Sequence, residues 1–222
     1  MDLASRLNRA IRRVPPWTIY LCGFGWSAWL FWQAASGAMG ADPVKGLEHA
    51  LGKLGLQLLV AVLCITPLRK LTGVSLIRFR RALGLTAFYY IVLHFLVWIA
   101  LDMGMLLSLA AADIVKRPYV TVGMAGLLLL TPLAITSNDR MIRRLGPVRW
   151  RRLHLLTYPA VLLGAVHYLW LVKSWPPEPI LYLLAVLGLL GLRFPIHGPS
   201  RAALPADSGA GIAIPQKNER LT

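Results

Sequence analysis

The feature that most constrains this chain is the spacing of its apolar runs, which fall at about 17–35, 50–68, 83–101, 118–136, 153–172 and 179–194. A membrane-spanning helix needs about 20 mostly apolar residues. Of the 222 residues, 57% are hydrophobic and 15% charged, against about 45–50% apolar and about 25% charged in an ordinary soluble domain. A single soluble core of this size cannot bury that excess. The expected fold is therefore all-α: an integral membrane bundle of six transmembrane helices. The sixth run is short, but Pro176, Pro177 and Pro179 mark its start. The first has signal-peptide flanks, with Arg6, Arg9, Arg12 and Arg13 before it. Its length exceeds the ~7–15 residues of a signal core, so it reads as a retained helix.

Orientation follows from the basic residues. Four precede run 1, and Arg69, Lys70, Arg78, Arg80 and Arg81 follow run 2. Six more, Arg140, Arg143, Arg144, Arg149, Arg151 and Arg152, follow run 4, and Arg193, Arg201, Lys217 and Arg220 lie at the C-terminal end. The opposite side carries only Lys45, Lys53, Lys116, Arg117 and Lys173. This alternation places both termini in the cytoplasm. The net charge of +15 is then a signature of topology, and no nucleic acid partner is expected. The organisation reads as a basic cytoplasmic N-terminus (1–16), a six-helix transmembrane domain (17–194) and a Gly/Ala/Pro/Ser-rich disordered cytoplasmic tail (195–222).

Smaller signals narrow the chemistry. Cys22 and Cys64 sit inside apolar runs, and no CxxC or CxxCH occurs, which excludes a thiol redox pair, a zinc knuckle and covalent c-type haem attachment. Trp17, Trp98, Trp150, Trp170 and Trp175 lie near run ends and read as an interfacial belt. Residues 103–115 suggest a short surface helix between runs 3 and 4.

Ionisable residues within hydrocarbon are costly and usually functional. The run centres contain no Asp or Glu; Lys53 and Arg193 can snorkel, and histidine remains. His94 is central in run 3, His154 and His167 lie near opposite ends of run 5, His49 precedes run 2, and His197 follows run 6. With no HExxH and no GxSxG, neither an intramembrane metalloprotease nor a serine hydrolase is expected. Ion-coupled transport usually needs an intramembrane carboxylate or broken helices. Neutral imidazoles suit axial ligation of haem iron. His94 lies about 16 Å and His167 about 21 Å from the cytoplasmic side at 1.5 Å per residue, so depth pairs them. His154 lies only about 1.5 Å in and roughly 140° around the helix from His167. Pro159 between them can kink the helix and alter that angle. The alternative for each is a buried histidine hydrogen-bonded across helices.

The fragments GADPVK at 40–45, ITPLR at 65–69, RRALGL at 80–85, LHFLVW at 93–98, KRPYVTVG at 116–123, TS at 136–137, WRRLHLLTY at 150–158 and HYLW at 167–170 occur in this order. They resemble the MsrQ (YedZ) family, haem-binding membrane subunits of the bacterial protein-methionine-sulfoxide reductase system, within the wider ferric-reductase-like transmembrane group. The resemblance covers about residues 37–195. It implies b-type haem, with ligand histidines at His94, His154 and His167. One haem is expected, and a second is left open. FMN has also been associated with the family. The implied task is to carry electrons across the bacterial inner membrane to a periplasmic molybdopterin-containing methionine sulfoxide reductase subunit. The implied donor is a quinol or a cytoplasmic flavin reductase.

On that reading Tyr90, Thr157 and Tyr158 are candidates to tune the haem. Arg78, Arg80 and Arg81 can hold haem propionates or a flavin phosphate, against ordinary positive-inside anchoring as the alternative. The segment 36–48, with Asp42, Lys45, Glu48 and the adjacent His49, can meet the partner, and His49 is a candidate accessory ligand. Two other functions fit less well: a stand-alone ferric or quinone reductase, and a cofactor-free transporter or assembly factor.

Overall fold

The computed structural model describes residues 3–172 and 176–193, all of its regular structure helical. The elements are α1 (Leu3–Arg13), α2 (Trp17–Ala35), α3 (Pro43–Thr72), α4 (Arg80–Val97), α5 (Leu107–Lys116), α6 (Pro118–Ile135), α7 (Asp139–Leu145), α8 (Pro147–Leu153), α9 (Thr157–Leu171) and α10 (Pro177–Gly191). A 3₁₀ turn, Ile77–Phe79, leads into α4, and a π-helical turn, Trp98–Asp102, continues it; a second 3₁₀ turn, His154–Leu156, joins α8 to α9.

Among the described residues four stretches are long and apolar enough to cross a membrane: Pro43–Thr72, Ile77–Asp102, Pro118–Ile135 and Pro147–Leu171. Pro177–Gly191 is apolar but shorter. Within the described residues each of the six apolar runs falls on a helix. α2 carries no charge and holds four tryptophans. The chain is thus a multi-pass helical membrane protein.

Local chemistry sets the element ends. Asp42 caps α3, its side chain accepting from Lys45 N–H at 3.0 Å, and Pro43 supplies the first turn. The helix therefore starts seven residues before the apolar run, which puts His49 inside it rather than ahead of it. Gly73, at φ 73°, ends α3 in the left-handed conformation that glycine adopts without strain. Asn138 caps α7 by accepting from Met141 N–H at 2.8 Å. The surface helix expected at 103–115 is α5, displaced to start after Gly104 and Met105, both at positive φ. Where α4 begins, Arg81 pairs with Asp139 at 2.6 Å and holds that carboxyl below its ordinary range.

The bundle centres on α3, α4, α6, α9 and α10. Its core includes Leu56, Leu59, Leu63, Ala87, Leu130, Ala160, Val161, Ala165 and Val186. Small residues permit the close approach that packing in lipid requires: a Cβ on Gly55 would lie 2.7 Å from Ile91. α2 joins through Leu30, Leu47, Leu51, Tyr90 and Val97. The Tyr90 hydroxyl donates to Gly23 O at 2.7 Å, and Ser27 bonds Tyr89 at 2.8 Å.

α3 runs through Pro67. Proline has no N–H, so the carbonyl four residues earlier, Leu63 O, loses its helical donor. Arg193 Nη2 takes that place at 2.7 Å. Its Nη1 donates to the Tyr158 hydroxyl at 2.9 Å, with the guanidinium 5.2 Å over the Tyr158 ring. Replacing Arg193 by leucine strands a carbonyl in an apolar setting, a cost of about 1–3 kcal/mol. Thermal unfolding in detergent should show the loss, with Arg193→Lys recovering only part of it.

Candidate functional site

His94 on α4 and His167 on α9 face each other across the bundle. Their ring centroids are 6.2 Å apart and the ring planes cross at 73°. Both line one cavity of about 280 Å³. Its inner wall is apolar, including Leu56, Leu59, Ile91, Leu127, Leu130 and Ala160. Its rim is charged, with Lys45, Glu48, His49, Lys53, Asp113 and Arg117. The cavity is thus a dry slot with a polar mouth at the α5 end of the bundle.

The two histidines are held alike. His94 Nδ1 lies 2.8 Å from Glu48 O on α3, and His167 Nδ1 lies 2.7 Å from Tyr119 O on α6. A carbonyl can only accept, so each Nδ1 carries the hydrogen and each Nε2 keeps its lone pair. Neither Nε2 has a hydrogen-bond partner among the described residues. Four residues beyond each carbonyl stands a glycine under the ring. A Cβ on Gly52 would meet His94 Nδ1 at 3.0 Å, and one on Gly123 would meet His167 Nδ1 at 2.9 Å. Each ring therefore lies in a groove made by a carbonyl and a missing side chain.

This donor set fits a metal centre. A neutral imidazole whose Nδ1–H is bonded to a carbonyl has a fixed tautomer, a fixed plane and a more basic Nε2. Two such rings, each about 2 Å from one shared metal ion, would stand about 6 Å apart centre to centre, close to the observed separation. Among the described residues no group of three or more His, Cys, Asp or Glu is placed to hold a bare metal ion. Two imidazoles beside an apolar cavity instead suit an iron whose remaining ligands would come from a macrocycle, which His94 and His167 would hold.

The other candidates lie elsewhere. His154 does not line the cavity. It stacks on Trp150 at 3.9 Å, its Nδ1 lies 3.1 Å from Trp150 O, and its Nε2 lies 3.4 Å from Ser137 Oγ. Pro159 sits in the first turn of α9, behind the 3₁₀ turn, so no mid-helix kink turns His154 toward His167. His49 does line the cavity. Tyr90, Thr157 and Tyr158 do not: Tyr90 ties α4 to α2, and Tyr158 receives Arg193. Arg78 is engaged with the Ile11 and Arg12 carbonyls and Arg81 with Asp139, in keeping with anchoring rather than ligand binding. Trp98 is buried and lines the cavity, and Trp150 packs on His154, so neither belongs to an interfacial belt. Trp17 and Trp170 are exposed as a belt requires. Trp175, His197 and the tail lie outside the described residues.

Sequence reading missed the Glu48 and Tyr119 carbonyls as the acceptors that hold the two rings, and Gly52 and Gly123 as the floor beneath them. The available signal was two glycines among bulky neighbours in the N-terminal halves of α3 and α6.

Residues 51–165 match the family described as the ferric reductase like transmembrane component. A Brucella anthropi protein named protein-methionine-sulfoxide reductase heme-binding subunit MsrQ is 46% identical over 199 residues, covering 89% of this chain and 90% of its own. Its namesakes from Brucella ovis and Brucella suis are each 51% identical over 174 residues, covering 78% of this chain and 79% of their own.

Proposed function

The chain belongs to the ferric-reductase-like transmembrane family, among the MsrQ haem-binding subunits, and on that premise we propose that it carries electrons through b-type haem to a methionine sulfoxide reductase. The observation that supports this reading best is the facing pair of carbonyl-bonded imidazoles, His94 and His167, over an apolar slot. These two are the proposed haem ligands. The group they would hold supplies one-electron redox chemistry.

The chain's own residues do the rest. Glu48 O and Tyr119 O fix the proton on each Nδ1, which orients the rings and makes them stronger donors. Gly52 and Gly123 leave room for those rings. Leu56, Leu59, Leu127 and Leu130 exclude water, which keeps the reorganisation accompanying a charge change small. The methionine chemistry is assigned to a catalytic partner, read as a periplasmic molybdopterin enzyme. The positive-inside count supports six crossings of the bacterial inner membrane, with both termini cytoplasmic. A quinol or a cytoplasmic flavin reductase then supplies electrons from the inner side. His154, near the inward end, is the residue to which a second haem would be assigned. FMN is the remaining cofactor of the proposal.

The purified chain should show a reducible b-type spectrum. The reduced form should reoxidise only when the partner subunit and a methionine sulfoxide are both added. A colourless, iron-free preparation from haem-replete cells would reject the reading. Reoxidation by ferric chelates at the same rate without the partner would favour a stand-alone reductase.

A further inference from the structure

Each histidine has its own carbonyl acceptor and its own glycine floor, but the two differ in what braces them. Lys45 Nζ lies 2.7 Å from Asp102 Oδ2 and 3.1 Å from Glu48 Oε2. Glu48 is 7% exposed, and its own backbone carbonyl accepts from His94 Nδ1. Lys45 and Glu48 are on α3, while Asp102 closes the π-turn that continues α4, the helix that carries His94. The ion-paired trio therefore joins the same two helices that supply the two ends of the His94 hydrogen bond, about two turns farther out.

The π-turn makes this register work. Met103 N–H bonds Trp98 O at 2.9 Å, one residue wider than an α-turn. On a regular α-helix a residue eight beyond His94 stands roughly 80° away around the axis; with one residue inserted it stands about 20° away. The wide turn thus brings Asp102 over the face that holds His94. Among the described residues no such trio joins α6 to α9 for His167. Arg117, beside Tyr119, pairs with Asp113 at 2.8 Å and with the Tyr119 hydroxyl at 3.1 Å, all within the α5–α6 segment, and neither contact reaches α9.

The geometry points to Asp102, Lys45 and Glu48 as a positioning clamp that sets the orientation and donor strength of the His94 imidazole. This rests on His94 being a haem ligand. A taut carbonyl bond at Nδ1 strengthens the imidazole as a donor and favours the oxidised iron. Releasing the clamp lets the bond lengthen and the ring turn, so the midpoint potential rises and the low-spin electron paramagnetic resonance signal, which reports the ring planes, shifts.

The test uses the full-length chain with haem bound. Asp102→Asn cuts the tie to α4 but also removes a negative charge, which alone raises a potential. The double substitution Lys45→Met with Glu48→Gln cuts the same tie at constant net charge and leaves a single ion, Asp102, whose side chain is 20% exposed to solvent. Both variants should retain the b-type spectrum, shift the resonance signal and raise the potential, while Lys45→Arg keeps the parent values. Unchanged resonance and potential in the double variant, with haem present, would overturn the proposal even if Asp102→Asn shifts the potential. If Asp102→Asn does not accumulate, the double variant decides alone. Absence of haem from the parent protein, or its retention in His94→Ala, would instead defeat the ligand assignment on which the clamp rests.

Discussion

Replacing either His94 or His167 by alanine should remove most of the low-spin b-type absorbance of the purified protein. Each ring keeps its Nε2 lone pair free for a ligated metal, and among the described residues no other imidazole shares the cavity except His49, at its rim. Loss of an axial ligand leaves iron held from one side, so binding weakens and the spectrum turns high-spin. Imidazole added to the alanine variants should restore part of the low-spin signal, because the vacated space has the shape of the missing ring. His154→Ala should leave this pair's signal intact, since that residue packs on Trp150 outside the cavity. An unaltered low-spin spectrum in both His94→Ala and His167→Ala would reject the pair outright. Loss of a separate fraction of the haem in His154→Ala would reveal a second site at the inward end.

Gly123→Ala should be nearly as damaging, although it touches no ligand chemically. Its Cβ would stand 2.9 Å from His167 Nδ1, closer than the ring can tolerate while bonded to Tyr119 O. The ring must move, and the bond that fixes its tautomer goes with it. Loss of such a supporting contact typically weakens metal binding about 10–100-fold. Gly52→Ala acts on His94 in the same way at 3.0 Å and should be somewhat milder. Gly84→Ala and Gly188→Ala are the controls, because an added Cβ meets nothing within 4 Å at either position. Both should keep full haem, with helix stability raised by about 0.5–1 kcal/mol. Haem content per chain, with a titration of released haem, measures all four. Equal haem retention in the Gly123 and Gly84 variants would show that the groove is not needed to seat the ring.

Much of this architecture was legible because hydropathy and helical rise are local properties. The apolar runs became helices because each can satisfy its own backbone bonds, and the 1.5 Å rise was enough to set His94 level with His167. What stayed hidden depends on contacts between distant segments. The acceptors of His94 and His167 are backbone carbonyls 46 and 48 residues away, and a carbonyl has no letter in the sequence. The π-turn is encoded by no residue type in Trp98–Asp102. Pro159 lies in the first turn of α9, just after the 3₁₀ turn His154–Leu156, so the break in regular helix falls beside His154 and not midway to His167. Trp98 lay near a run end and so resembled an interfacial anchor, but its azimuth on α4 turns it into the cavity.

The off-centre placement of the paired rings has a kinetic consequence. His94 lies fourteen residues along α4 from Arg80 but only eight short of Asp102, about 21 Å against about 12 Å along the axis. Tunnelling weakens steeply with distance. In the proposed orientation discharge to the outside is therefore the fast leg, and refilling from the cytoplasmic face sets the pace. At steady turnover the iron would rest mostly ferric, waiting on its donor, with the stacked Trp150–His154 rings standing in the gap that each incoming electron must cross.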